Sequence, residues 1–167
     1  RAITQNEKEN KTLAAEIAEL NILPTRRRIQ KMKMLKETGN ICIYCGKTVS
    51  PYQFIEGNGY EVEHIIPRSR LFDDSMTNKV CSCKENKKKK NNQTAYDYMK
   101  SKSEQMFNSY LDRVEELYKS NRISRGKRDR LLMAGSEIPD DFIERDLRQT
   151  QYITRKSMDI LSSVIRN

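Results

Sequence analysis

Four cysteines fall in two tight pairs, Cys42-Ile43-Tyr44-Cys45 and Cys81-Ser82-Cys83, and no other feature constrains the fold of this chain as strongly. The opening residues, Arg1-Ala2-Ile3-Thr4, carry no signal-peptide pattern. In that setting close cysteine pairs point to thiolate metal ligation rather than disulfides. Cys42-Ile43-Tyr44-Cys45-Gly46 has the form of a zinc knuckle; Cys81-Ser82-Cys83 has the shorter CxC spacing and is the weaker signal. A structural Zn²⁺ held by Cys42, Cys45, Cys81 and Cys83 would tie two distant segments together, and its binding energy would be folding energy. That matters here because apolar residues make up 36% of the chain and charged ones 33%. Such a chain has a thin core, with much of its length in solvated helix. The alternative, four reduced thiols with two or more in the core, stays open.

The charge balance narrows the partner. Lys and Arg number 32 against 23 Asp and Glu, a net charge of +9. That excess favours an anionic partner, nucleic acid first. No apolar run approaches the roughly 20 residues of a membrane span. The first residue is Arg1, inside a polar helical stretch, so the sequence reads as a piece of a longer, cytoplasmic protein that acts as a monomer.

Periodicity places the elements. Leu13, Ile17 and Leu20 predict a helix from about Asn6 to Leu20, ended before Pro24. Thr25 can cap a second helix bearing Arg26, Arg27, Arg28, Lys31, Lys33 and Lys36, with Ile29, Met32 and Leu35 on one face. That basic face is either solvated or a phosphate contact. Ile41 to Lys47 reads as a short strand and knuckle, Ser50-Pro51 as the start of a short helical piece, Gly57-Asn58-Gly59 as a hairpin turn. Tyr60–Ile66 reads as a strand with Val62 on one face and Glu61, Glu63 and Ile65 on the other, followed by a loop from Pro67 to Thr77. Helices are expected from Lys84 into the run Lys87–Lys90, from Thr94 to Met99, from Ser103 to Tyr118, from Ser124 to Leu132, and from Pro139 towards Ile165. Tyr96 and Tyr98 read as core residues. The fold class is α+β: a small strand-hairpin centre surrounded by helices, with helical arms at both ends.

His64 is the only histidine, and it sits in Tyr60-Glu61-Val62-Glu63-His64-Ile65-Ile66-Pro67. A carboxylate beside a histidine on a short strand, then a loop, then an asparagine ahead of a basic stretch, is the layout of a metal-dependent nuclease. Carboxylate and amide oxygens are hard ligands suited to Mg²⁺. An imidazole takes a proton from water near neutral pH. A packed histidine with no chemical role is the plainer alternative.

The stretch YEVEHIIPRSRLFDDSMTNKV, followed by ENKKKKNNQTAYDYM, resembles the HNH domain of the large RNA-guided CRISPR-associated endonucleases of type II systems. FIERDLRQTQYITRKSMDIL, near the C-terminus, resembles the segment that returns from that domain into a RuvC-like domain. The resemblance implies a ββα-metal core and divides the chain into an N-terminal helical arm (1–38), an HNH nuclease domain (39–134) and a C-terminal arm (135–167) leading towards a RuvC-like domain. It implies His64 as general base, Glu63 as a Mg²⁺ ligand where many members have Asp, and Asn78 as the brace behind the histidine loop. Asn86 is expected as the last metal ligand, although an ungapped match puts Lys87 there. Lys has no lone pair to give a metal while protonated, and this favours Asn86. Lys87, Lys88, Lys89 and Lys90 are expected to line a phosphate track.

The function so implied is Mg²⁺-dependent (Mn²⁺ substituting) hydrolysis of the guide-paired DNA strand. The partners are the guide RNA–DNA heteroduplex and the other domains of a bacterial endonuclease of antiviral defence. The alternative is a catalytically inactive zinc-knuckle module that binds nucleic acid.

Overall fold

The computed structural model describes residues 4–139 together with Arg155. The helix expected from Pro139 towards Ile165 lies outside the described residues. Hydroxyl side chains set most helix starts. Thr4 caps α1 (Gln5–Glu19), Thr25 caps α2 (Arg26–Glu37), and Pro51 opens the short α3 (Pro51–Glu56). Thr94, Ser103 and Ser124 cap α5 (Ala95–Lys100), α6 (Glu104–Lys119) and α7 (Arg125–Leu131).

At the centre, β1 (Tyr60–His64) pairs antiparallel with β2 (Lys79–Cys83), Tyr60 opposite Cys83 and His64 opposite Lys79. The helix α4 (Lys84–Lys90) starts at the residue after β2 ends. This ββα unit makes the fold α+β. Three local expectations change. Ile41 to Lys47 is not a strand: one bridge, Ile41 to Thr48, closes a turn around the knuckle. Gly57-Asn58-Gly59 does not join two strands. Gly57, at φ 80°, caps the end of α3, a backbone that residues with a Cβ adopt at a cost. The partner of β1 is instead β2, reached through the loop 65–78, and Lys-Val-Cys-Ser-Cys carries too little polar–apolar alternation to announce a strand.

Two apolar clusters hold these elements. The larger gathers Phe54, Ile65, Ile66, Val80, Tyr98, Met99, Tyr110, Val114 and Leu131 around Tyr44. The ring of Tyr44 meets Tyr98 edge-on at 5.8 Å and stacks with Tyr110 at 6.3 Å. The smaller joins Leu13, Ile17 and Ile22 to Met32 and Ile55. Helix α2 serves both, because Met32 enters the small cluster while Met34 and Leu35 enter the large one. The basic helix is thus packed against α1 and α3 through one cluster and against β2 through the other. Leu35 has no exposed surface. Leu35→Ala is expected to cost about 2–5 kcal/mol in urea unfolding. A change within about 0.5 kcal/mol, typical of a solvated surface site, would mean that α2 does not pack there.

Candidate active site

His64 ends β1 and is held from the loop that follows. Its Nε2 lies 2.9 Å from Asp74 Oδ1, and Lys79 Nζ reaches the same oxygen at 3.0 Å. These two contacts, His64 first, hold the Asp74 carboxyl down to about 2. The loop is fixed by Asn78, which is fully buried. Its Oδ1 accepts the Ile66 N–H, and its Nδ2 donates to the carbonyls of Ile66 and Asp73, each at 2.9 Å. Asp73 is clamped in turn by Arg130 at 2.8 Å. The outgoing and returning arms of the loop are therefore locked together, and Asp74 is delivered to the imidazole.

Glu63 lies on the other side of the strand end and is almost fully buried. Its Oε1 accepts Lys90 Nζ at 2.8 Å, and the same ammonium donates to the His64 carbonyl at 2.8 Å. Lys90 has no exposed surface; burial pushes its pKa down, while Glu63 opposes that shift. Of the four lysines expected on a phosphate track, Lys90 is thus a buried counter-ion. Lys87 donates to Glu61 Oε2 at 2.7 Å on the edge of β1, and Lys88 and Lys89 face solvent.

The structure does not bring Asn86 to Glu63 and His64. Asn86 Oδ1 accepts the Tyr98 hydroxyl at 2.9 Å, and Nδ2 lies 3.6 Å from Cys42 Sγ. Asn86 could take the place of Lys87 only if the backbone at Cys83-Lys84 absorbed one missing residue, but β2 ends at Cys83 and the helix begins directly at Lys84. Residue 87 therefore points to the β1 edge and residue 86 to the cysteines.

The thiols of Cys42, Cys45 and Cys83 lie within 4.8 Å of one another. Cys81 is outside that group, buried in the larger core cluster, where burial pushes its thiol pKa up. A hydrogen bond from Cys45, then backbone N–H groups of Cys45, Cys83 and Tyr44, pull the Cys42 thiol down to about 5 against the cost of its burial. Arg113 of α6 braces the knuckle by donating to the carbonyls of Ile43 at 3.1 Å and Tyr44 at 2.6 Å. Three converging thiols fit a soft or borderline cation such as Zn²⁺.

A groove runs between α2 and β1. A cavity of about 570 Å³ lined by Thr25, Arg28 and Gly57 adjoins one of about 260 Å³ lined by His64, Asp74 and Lys79. Arg27, Lys31, Val62 and Lys87 border both. Lys31 is anchored on the carbonyls of Phe54 and Ile55, at 3.0 and 2.9 Å, and Arg28 on Glu56 at 2.9 Å. The histidine thus sits at one end of a cation-lined channel.

Sequence reasoning missed two residues of this site. Asp74 was visible as the second aspartate of Asp73-Asp74, but nothing in the sequence directed it to the imidazole. Lys90 was visible only as one lysine of four, and its burial is set by the phase of α4.

Residues 42–96 match the HNH endonuclease family. The chain is 34% identical over 145 residues to the CRISPR-associated endonuclease Cas9 of Staphylococcus aureus, covering 82% of this chain and 14% of that protein. It is 30% identical over 141 residues to CRISPR-associated endonuclease Cas9 1 of Streptococcus thermophilus, covering 81% of this chain and 12% of the relative. The chain therefore spans only about one-seventh of the curated relatives it matches. A crystal structure of Streptococcus thermophilus Cas9 in complex with the AGGA PAM superposes with a TM-score of 0.67 at 28% identity, over 95% of this chain and 16% of that one.

Lys90→Met is expected to destabilise the protein by about 3–5 kcal/mol, because it leaves the Glu63 charge buried without its partner. Combining Lys90→Met with Glu63→Gln should recover part of that loss. A double-mutant cycle in urea reads the coupling, and additive losses would show that the pair does not interact.

Proposed function

Because this chain belongs with the HNH nuclease domains of type II CRISPR-associated endonucleases, we propose that it hydrolyses a DNA phosphodiester with His64 as general base. The observation that carries this reading is the placement of the imidazole, held by Asp74 at the end of a cation-lined groove. In the proposed step a water on the groove side of the ring gives its proton to His64 as it attacks phosphorus. Asp74 keeps the ring oriented and stabilises the imidazolium that results. Lys79 compensates the Asp74 charge when the imidazole is neutral.

Glu63 provides one protein carboxylate for a hard cation, and one carboxylate with water and phosphate oxygens is an adequate shell for Mg²⁺ or Mn²⁺. Such an ion would supply neutralisation of the charge that develops on the phosphate and the leaving oxygen. The chain's own contribution is to free Glu63. The Lys90 ammonium has to leave the carboxylate, and a phosphate oxygen is its natural alternative partner.

The groove is the proposed path of the DNA backbone, bordered by exposed Arg27 and by Lys87, which is held on Glu61, with Lys88 and Lys89 on the adjoining surface. Sequence choice would come from pairing between guide RNA and the target strand, not from this domain. Residues 1–38 and 135–167 are proposed to run to the remaining domains of a longer bacterial cytoplasmic endonuclease, with the RuvC-like domain beyond the C-terminal arm. The three-thiol group is proposed to hold a structural Zn²⁺.

One observation favours a second reading, a catalytically silent nucleic-acid-binding module. Glu63 is occupied by Lys90, and the Asn86 carboxamide bonds Tyr98 instead of facing Glu63. A nicking assay with Mg²⁺ or Mn²⁺, quenched with EDTA, separates the two readings. Under the nuclease reading His64→Ala loses about 10²–10⁴ in rate while circular dichroism stays native. Full cleavage by the folded variant would remove His64 from the mechanism, and no cleavage by the parent chain would favour the silent module.

DNA binding should be independent of sequence and fall steeply with salt. Arg27→Ala should lower the slope of log affinity against log salt by about one unit, the signature of one lost phosphate contact. An unchanged slope would move the backbone path away from α2.

A further inference from the structure

Asn86 lies where a fourth metal ligand belongs. Cys42 and Cys45 are separated by two residues, and so are Cys83 and Asn86. In tetrahedral coordination with Zn–S near 2.3 Å and Zn–O near 2.0 Å, neighbouring sulfurs stand about 3.8 Å apart and a sulfur and an oxygen about 3.5 Å. Cys45 Sγ and Cys83 Sγ are 3.6 Å apart. Asn86 Nδ2, the amide atom that exchanges places with Oδ1 on a half-turn, is 3.6 Å from Cys42 Sγ. These are two opposite edges of one tetrahedron, at the right lengths. Cys81 offers no such edge, since its thiol stays outside the group and its side chain belongs to the apolar core.

The Asn86 amide can present either end to the thiols. The hydroxyl of Tyr98 donates to Asn86 Oδ1 at 2.9 Å. A hydroxyl is both donor and acceptor, so it can equally accept from Nδ2. A half-turn of the carboxamide then puts Oδ1 where Nδ2 now lies, beside Cys42 Sγ, and keeps the Tyr98 contact. Tyr98 is itself nearly fully buried and fixed against Tyr44, so it holds the amide in place in either orientation.

Resting on the reading that the thiol group holds Zn²⁺, we propose that the ion is ligated by Cys42, Cys45, Cys83 and the carboxamide oxygen of Asn86. Cys81 is not a ligand. Three thiolates and a neutral oxygen around Zn²⁺ carry one net negative charge rather than the two of a four-thiolate site. The exchange of a thiolate for an amide also weakens the site, because borderline-soft Zn²⁺ prefers sulfur. Asn86 lies in the first turn of α4, and the ion would therefore fasten the knuckle to the helix that carries Lys87 and Lys90.

The test is elemental analysis of chain purified without chelators, followed by replacement of Zn²⁺ with Co²⁺. Near-ultraviolet sulfur-to-cobalt absorption grows with each Co–S bond, and the visible bands report the geometry and the fourth ligand. About one Zn²⁺ per chain and a tetrahedral Co²⁺ spectrum are expected; neither ion bound would end the zinc reading and this proposal with it. With metal bound, Cys81→Ala and Cys81→Ser should leave stoichiometry and charge-transfer intensity unchanged. Asn86→Cys should raise that intensity by about one-third, three thiolates becoming four, and tighten Zn²⁺ in competition with a chromophoric chelator. Asn86→Ala should keep the intensity, shift the visible bands and weaken Zn²⁺ by at least about tenfold. If a folded Cys81 variant loses about a quarter of the charge-transfer intensity, Cys81 is the fourth ligand and the proposal is overturned while the zinc reading survives. If Asn86→Ala leaves bands and affinity unaltered, the fourth corner belongs to another group, and the proposal is overturned in the same way.

Discussion

The junction at Cys83-Lys84 governs this molecule. No residue separates β2 from α4, so the pairing of β2 with β1 also sets the rotational phase of the helix. At about 100° and 1.5 Å per residue, Asn86 and Lys90 share a face about 6 Å apart, and Lys87 is offset by a quarter-turn or so. Asn86 accordingly meets the cysteines, Lys90 meets Glu63, and Lys87 meets Glu61 at the groove. One inserted residue before Lys84 would rotate all three contacts at once.

That phase places a permanent cation against the carboxylate beside the histidine. A buried carboxylate without a partner is costly, and Lys90 offsets that cost before any metal or phosphate arrives. The arrangement holds the Glu63 carboxylate against the Lys90 ammonium at 2.8 Å. A metal ion at Glu63, as proposed, would compete with this internal ion pair. Most other charges around the groove are balanced similarly, Asp74 by Lys79, Glu61 by Lys87 and Glu56 by Arg28. A phosphate backbone entering the groove would therefore bind by exchanging partners with cations already in place, which costs less side-chain ordering than recruiting free ones.

Much of this was legible in the sequence, for physical reasons that differ from residue to residue. Thr25, Ser103 and Ser124 announce helix starts because a capping hydroxyl acts locally. Met106, Phe107, Tyr110, Val114 and Leu117 show the helical period of α6, although Met106 remains largely exposed. His64 stood out as the only histidine, beside a carboxylate on a short strand, whereas the pairing of that strand with β2 came from the resemblance, as the residues of β2 lack any strand signal of their own. What could not be read was anything that depends on helix phase. The preference for Asn86 over Lys87 followed from ligand chemistry alone, and chemistry cannot turn a helix whose start is fixed by strand pairing. The inclusion of Cys81 with the other cysteines followed from sequence proximity. In an extended strand, residues 81 and 83 are about 6–7 Å apart, too far for both thiols to meet one ion unless the backbone turns between them.

The same distance argument explains why the knuckle and the histidine belong to one mechanical unit. Tyr60 and His64 end the same five-residue strand, and Tyr60 is paired with Cys83 while His64 is paired with Lys79. Whatever fixes Cys83 fixes one end of the hairpin, and Asn78 fixes the other by tying Ile66 to Asp73. The strand pair is too short to hold its register on hydrogen bonds alone, since an isolated two-stranded hairpin is marginal in water. Anchors at both ends remove that freedom. A one-residue slip would carry the imidazole to the opposite face of the sheet, away from Asp74 and out of the groove. The thiol group, remote from the imidazole in sequence, is therefore tied to it through register: it helps decide which face His64 presents.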